Sequence, residues 1–373
     1  MEGDQTRLPA SGGRHRRSRA SAIQVACGRP RAHAQPARGP RPGTPALLLV
    51  AGLALAAASD AGADTSAGAG PDAGTFVSLT IDNDFFVGFD RHYTNGVQVA
   101  FSADMRNLPE SLRSLPPLRW SAEPRFTFSV GQRIYTPADT DRTDPDPLDR
   151  PYAGWLYALA EVRTRTGATD DHVQASVGII GPASLAERTQ NSYHTLVGSE
   201  RSRGWEAQLR NEPALLLAYE RAWPALRQGS FAGLETDFTP RAGVTAGNVF
   251  TYASTGMVGR LGRNLPDDFP ATYISLGPPR DGYHTTGAPF GWYAWFGTEA
   301  RLVGWNTFVD GNTFRDSRSV ERKPWVYDLQ FGLVAVWRRS RVGFTFVRRS
   351  DEFETQQGVD KFGQFTATFP MGR

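Results

Sequence analysis

From Thr75 onward the chain alternates apolar and polar side chains with a period of two, and no apolar run there is long enough for a membrane helix. Successive side chains of a strand point to opposite faces, so this pattern builds sheets with one oily and one wet surface. In the segment Phe76 to Asp82 the oily set is Val77, Leu79 and Ile81, and the wet set is Ser78, Thr80 and Asp82. Thr94 to Ala103 repeats it, with Val97, Val99 and Phe101 opposing Thr94, Gly96, Gln98 and Ser102, and Arg125 to Gln132 follows with Phe126, Phe128 and Val130. Further candidate strands are 152–163, 172–180, 214–223, 230–245, 249–262, 290–306, 325–338, 341–351 and 361–369, which makes twelve. An even count returns both termini to one side, as in bacterial single-chain barrels. The expected fold class is all-β: a transmembrane antiparallel β-barrel of about twelve strands, with short helices in an extracellular loop. A soluble β-sandwich shares the alternation and is the competing architecture. The segments 104–124 and 263–289 are long and Pro-rich where a barrel's periplasmic turns should be short.

The first part of the chain reads differently. Arg14, Arg16, Arg17, Arg19, Arg29, Arg31, Arg38 and Arg41 precede an apolar run from Pro45 to Ala58, which is too short and Ala-rich to span a bilayer. A basic flank, an apolar middle and small residues at Ala56-Ala57-Ala58 and Ala61-Gly62-Ala63 mark a secretory signal peptide. The expected organisation is a basic leader and signal peptide over 1–63, a linker over 64–74 and a barrel over 75–373, the mature chain starting between Ser59 and Asp64. Residues 1–58 hold nine Arg against Glu2 and Asp4, a net of +7, so the formal +3 of the whole becomes about −4 without them. The basic character belongs to the leader, and a nucleic-acid partner is not expected. Cys27 is the only cysteine and lies in the leader, which excludes a disulfide, a Cys-ligated zinc and a Cys nucleophile from the mature chain.

Strand parity places the polar clusters. A chain entering from the periplasm sends its first strand outward, so 83–93, 133–151 and 181–213 open on the cell exterior. In the first of these, Asp82, Asp84 and Thr94 share the inward parity of their strands, and such hard oxygen donors suit calcium, although an ordinary Asx-rich turn reads the same way. In the third, Ser184-Leu185-Ala186-Glu187 has capping-box spacing for a short helix, with Gly198 as its stop. Offsets of three and four would align Gln190, Asn191 and His194 on one side, and Glu200 follows close enough to orient the imidazole. His92, His172 and His284 lack such neighbours. Arg133 and Arg150 either face anionic phosphates or play a structural part, Arg150 pairing with Asp149 while Tyr152 and Trp155 join an interfacial aromatic girdle.

Taken in order, Asn83-Asp84, Tyr93-Thr94-Asn95-Gly96, Gln132-Arg133-Ile134-Tyr135, Gly178 to Pro182 and Gln190-Asn191 with His194 and Glu200 resemble the outer-membrane lipid A 3′-O-deacylases, over roughly residues 75 to 369. The resemblance implies a calcium-dependent esterase of the Gram-negative outer membrane that releases the 3′-linked acyloxyacyl chain of lipid A or lipopolysaccharide; its active site is expected to face the outer leaflet and the protein to be a monomer. On matching positions His194 would activate water, Glu200 would support it, Asp84 would bind Ca²⁺, Asn83 and Thr94 would shape the site, and Gln190 would contact substrate, with Arg133 and Arg150 as further substrate contacts. The stretch 138–149 departs from the family pattern, being acidic and without Lys, which weakens the case for phosphate contact there. Ser184 and Ser192 lie near His194 and leave a serine route open, though no nucleophile elbow surrounds either. An outer-membrane phospholipase and a non-enzymatic porin are the alternative functions.

Overall fold

A computed structural model describes residues 74–84, 93–105, 125–266 and 288–371. The described strands are β1 (Thr75–Asn83), β2 (Tyr93–Asp104), β3 (Arg125–Tyr135), β4 (Ala153–Thr166), β5 (Thr169–Ile180), β6 (Glu212–Ala222), β7 (Arg227–Phe231), β8 (Leu234–Gly247), β9 (Phe250–Arg263), β10 (Phe290–Asn306), β11 (Trp325–Trp337), β12 (Ser340–Arg349) and β13 (Asp360–Met371). Each pairs antiparallel with its chain neighbour, except that β6 pairs with β8, and β1 closes the ring on β13. The second half of β8 pairs with β6 and its first half with β7, so β6 and β7 form one interrupted stave. The result is a closed barrel of twelve staves. Pro240 sits in β8 opposite the interruption, where its carbonyl accepts from Trp223 and the hydrogen its nitrogen lacks is not needed. The expected single strand 230–245 is corrected here. It is broken by a two-residue turn at Ala232 and Gly233, both left-handed (φ 50° and 77°), a geometry that twists a hairpin the right way. The long 104–124 and 263–289 connections fall mostly outside the described residues.

Burial is inside-out. Along β1 the buried positions are Phe76, Ser78, Thr80 and Asp82, and along β11 the outward series Trp325, Tyr327, Leu329, Phe331, Leu333 and Trp337 is exposed. That is the surface of a barrel standing in lipid. Trp325 and Trp337 end the same strand twelve positions apart, which at ~3.4 Å per residue is roughly 40 Å along the strand. A tilt of about 35–45° reduces this to about 30 Å, the height of an apolar band with an aromatic girdle at each edge.

The lumen is filled rather than open. A chain of buried ion pairs crosses it from Glu220 through Arg241 (3.3 Å) to Glu299 (2.6 Å), Arg301 (2.7 Å) and Asp328 (2.5 Å), then Arg349 (2.9 Å), Glu352 (3.9 Å) and Arg150 (3.0 Å). A buried charge is tolerated only when paired, and alternation of sign along the chain gives nearly every member two partners. Above it a cluster of Tyr135, Trp155, Phe250 and Phe308 closes the upper end, the rim carrying the loops after β1, β3 and β5. Phe308 lies in the one-turn helix α2 (Thr307–Asp310), capped by Asn306, and stacks on Tyr135 at 3.9 Å.

Phe331 stands midway between the two girdle tryptophans. Phe331→Arg should cost ~2–4 kcal/mol of folding free energy, as a cation at mid-bilayer does, against less than ~1.5 kcal/mol for Phe331→Leu. Denaturant titration in lipid vesicles, followed by tryptophan fluorescence, reads the difference.

Candidate functional site

At the upper rim the strand register lines up Asn83 with Asn95, Asn95 with Ile134, and Ile134 with Gly154, one residue from each of β1 to β4. Their parity is that of the outward residues Ile81, Val97, Val130 and Leu156, so this row should face lipid. Yet Asn83 is 4% exposed and Ile134 1%. Over Ile134 lies the loop after β5, whose Ala186 and Trp205 pack against it.

That loop leaves β5 through a 3-10 turn, Pro182–Ser184, and forms helix α1 (Ala186–Val197), which packs against β3 and β4. Gly154 makes the close approach possible. A Cβ there would fall 2.1 Å from Ser184 Oγ and 2.2 Å from Ala186 Cβ. Ala186 joins Ile134, Tyr152 and Trp205 in a small apolar cluster, and Gln132 Nε2 donates to the Ser184 carbonyl at 2.6 Å. The expected capping box is corrected. The N-cap is Leu185, left-handed at φ 63° with no side-chain cap bond, because Ser184 is spent in the turn against the barrel wall. The helix stops at Gly198, φ 75°, as its sequence suggests.

The chain then folds back over α1. Ser199 N–H donates to the His194 carbonyl (2.8 Å), Ser202 N–H to Asn191 Oδ1 (3.0 Å), Trp205 Nε1 to Gln190 Oε1 (2.8 Å), and Leu209 N–H to the Tyr152 carbonyl (2.9 Å). Gln190, Asn191 and His194 thus share the inner side of α1, as their spacing implies. This return segment sets the histidine. His194 is 7% exposed and its Nδ1 lies 2.5 Å from the Glu200 carbonyl oxygen. A carbonyl can only accept, so Nδ1 carries a proton, and in the neutral form of the ring the lone pair is therefore on Nε2. The Glu200 carboxylate is not the partner expected from sequence. Its side chain is 78% exposed and lies 3.9 Å from Arg203, and the group that meets the ring is the Glu200 backbone carbonyl.

Asp84 follows the end of β1 and is buried, and Tyr193 lies within reach of its field: burial and, after it, the Asp84 charge push the Tyr193 phenol up. Tyr193 and His194 rings are 6.4 Å apart, so the carboxylate and the imidazole-bearing turn of the helix are brought to one place. Asn83 reaches it from the outer face of β1. Thr94 lies in β2 where the register against β3 shifts between Tyr93 and Asn95, and its side chain is outside the described residues. The inward parity expected of Asp82 holds, since it accepts from Gln364 in the lumen (2.7 Å), while Asn83 beside it has the outward parity of its strand. The two faces of one strand end divide the cluster.

The arginines are placed differently from the phosphate-facing expectation. Arg133 points into the lumen, in an inward row with Gly96 and Asp82 and only 2% exposed. Arg150 is fully buried, bonded to Glu352 at 3.0 Å and lying over the rings of Tyr135 and Phe353. The Asp149 carboxylate accepts from the Arg150 backbone N–H at 2.7 Å. Glu352 is held below the ordinary carboxylate range: burial pushes it up, but Arg150 and then Arg349 outweigh that. Trp155 faces inward and Tyr152 lies under Trp205 (4.9 Å), so neither belongs to the girdle; odd parity in β4 is the lumen side. His172 stands in the lumen 3.4 Å from Glu161, while His92 and His284 lie outside the described residues. Sequence reasoning missed Gly154, Tyr193, Trp205 and Glu352. Gly154 was open to it, as a glycine at an outward rim position where a bulky residue is usual.

Among the described residues no three His, Cys, Asp or Glu side chains cluster as metal ligands. The donors at the upper end of β1 are the oxygens of Asp82, Asn83 and Asp84, a hard set without nitrogen or sulfur that suits calcium over zinc.

Residues 46–371 match the family described as outer membrane protein LpxR. Among solved structures the chain is similar to LpxR from Salmonella typhimurium, at 19% identity and a TM-score of 0.66, over 79% of this chain and 100% of that one. It is also similar to the beta domain of the Bordetella autotransporter Brka (8% identity, TM-score 0.38, 80% and 99% covered) and to the translocator domain of autotransporter NalP from Neisseria meningitidis (10%, 0.35, 87% and 96%). No curated protein matches the sequence.

Gly154→Ala tests the docking of α1 alone. The added methyl has nowhere to go, so the barrel should keep its heat-modifiable gel migration while α1 lifts, at a cost of ~1–3 kcal/mol. Trypsin should then cut faster at the exposed Arg188, Arg201 and Arg203; an unchanged rate would show that α1 does not rest there.

Proposed function

The chain belongs to the outer membrane protein LpxR family, and from that premise we propose that it is a lipid A deacylase of the outer membrane that hydrolyses the 3′-linked acyloxyacyl ester in the outer leaflet. The observation that carries the reading is His194, buried between α1 and the outer wall of the barrel, with Nδ1 committed to the Glu200 carbonyl and Nε2 left as a base. A base on the outer wall meets lipids sideways. In this reading the base stands beside the leaflet, which a lipid ester needs and a soluble substrate does not.

In the proposed mechanism Nε2 of His194 takes a proton from water as the oxygen attacks the ester carbonyl carbon, a gain of about 10²–10⁴-fold. The tetrahedral centre collapses, the sugar oxygen leaves with that proton, and a fatty acid and a free hydroxyl remain. Gln190 Nε2 donates toward the ester, and Asn83 and Thr94 bound the site. Asp84, with neighbouring β1 oxygens, would hold a calcium ion, whose charge would stabilise the developing oxyanion. Arg133 and Arg150 support the rim from the lumen side, Arg150 through Glu352.

A phospholipase would use the same His194 and Asp84, and only the substrate separates it. The porin alternative is disfavoured by the paired charges and aromatic cluster that fill the lumen.

His194→Ala should assemble in the outer membrane and lose ~10²–10⁴-fold of its deacylation. Ser184→Ala and Ser192→Ala should keep most of theirs, and so should Glu200→Gln, which retains the carbonyl. Mass spectrometry of lipid A from expressing cells reads all four; wild-type turnover in His194→Ala, or an acyl adduct on either serine, would overturn the water mechanism. A calcium chelator should abolish turnover and calcium restore it better than magnesium, whose octahedral demand is stricter. Full activity in chelator would remove the metal.

A further inference from the structure

Gln190 is 2% exposed, and its amide makes one protein contact, from Trp205 Nε1 to Oε1 at 2.8 Å. An indole N–H is a donor and nothing else. It therefore decides which end of the amide faces it: Oε1 must accept, and Nε2, with two hydrogens, is turned the other way. Nε2 is buried and has no acceptor in the protein. Leaving a buried donor unpaired is costly, so the arrangement persists where a ligand oxygen supplies the acceptor. Gln190 lies one helical turn before His194 on the same inner side of α1, so that oxygen and the attacking water belong to one reacting group.

We propose that Trp205 is a positioning residue that locks the Gln190 amide with its N–H₂ toward the ester carbonyl oxygen of the substrate. The proposal rests on the deacylase reading and adds a residue that touches no substrate. Trp205 is held for the task. It opens a 3-10 turn (Trp205–Ala207), is 1% exposed, packs on Tyr152 and joins the cluster of Ile134 and Ala186 that seats α1 on the wall. Without the indole N–H the amide can turn over and offer Oε1, which repels a carbonyl oxygen. With it the wrong orientation sets two acceptor-less donors against each other.

Trp205→Phe keeps an aromatic ring on Tyr152 and removes only the N–H. Purified wild type, Trp205→Phe, Gln190→Ala and the double variant are compared in mixed micelles of lipid A and detergent, with heat-modifiable migration as the fold control. Trp205→Phe should lower kcat roughly threefold to tenfold with KM little changed, the worth of one hydrogen bond, and Gln190→Ala about 10²–10³-fold, the worth of an oxyanion donor. In the Gln190→Ala background Trp205→Phe should cost nothing further, because there is no amide left to orient. An equal loss in both backgrounds assigns Trp205 a packing role and overturns the proposal, as does wild-type kcat in Trp205→Phe. A wild type that folds yet leaves lipid A intact overturns the deacylase reading and takes this proposal with it, an outcome visible in the wild type alone.

Discussion

The ladder between β1 and β13 is the constraint on which everything else depends. Nine consecutive residue pairs, from Thr75 with Met371 to Asn83 with Gly363, turn an open sheet into a ring. In hydrocarbon an unpaired backbone N–H or C=O has no water to turn to, so a sheet with an edge cannot stand in a bilayer and a closed one can. The seam is also stitched inside by side chains: Ser78 Oγ lies 2.9 Å from Thr368 Oγ1, and Gln364 donates to Asp82. Closure brings the last strand beside the first and so surrounds the end of β1, where Asn83 and Asp84 stand.

Closure separates two surfaces, and they do different work. The inner one carries the charge chain from Glu220 to Arg150, whose members are affordable only because each meets an opposite sign. It fills the lumen with paired charge and reaches the rim loops through Glu352, which joins the segment after β12 to Arg150 beside β4. The outer surface is apolar except where α1 covers it. There, Asn83 and Gln132 replace the lipid-facing residues, and a glycine lets the helix lie flat. The candidate site is a patch of outer wall made polar and then roofed.

Much of this was legible beforehand. The count of staves and the faces of the strands followed from period-two alternation because a strand's side chains alternate whatever it pairs with. The break at Ala232 and Gly233 escaped because neither residue interrupts the hydropathy pattern; only their left-handed backbone does. His194 was found from helical spacing with Gln190 and Asn191, which local geometry decides. Its partner was not, since sequence lists side chains and the group that meets Nδ1 is a backbone carbonyl. Arg133 and Arg150 misled for a related reason: an arginine near a rim has the same letters whether it faces phosphate or a buried Glu352 two hundred residues away.

The sequence by itself determined that the chain is built of strands with one oily and one wet face, and that a short helix carrying His194 follows the fifth strand; both depend on periodicity, a property of neighbours along the chain. Only the tertiary structure decided that this helix lies outside the wall, that Gly154 seats it, that the Glu200 carbonyl sets the tautomer, and that Trp205 sets the Gln190 amide. Those outcomes depend on which surfaces meet when the ring closes, and no local pattern records a meeting between distant segments.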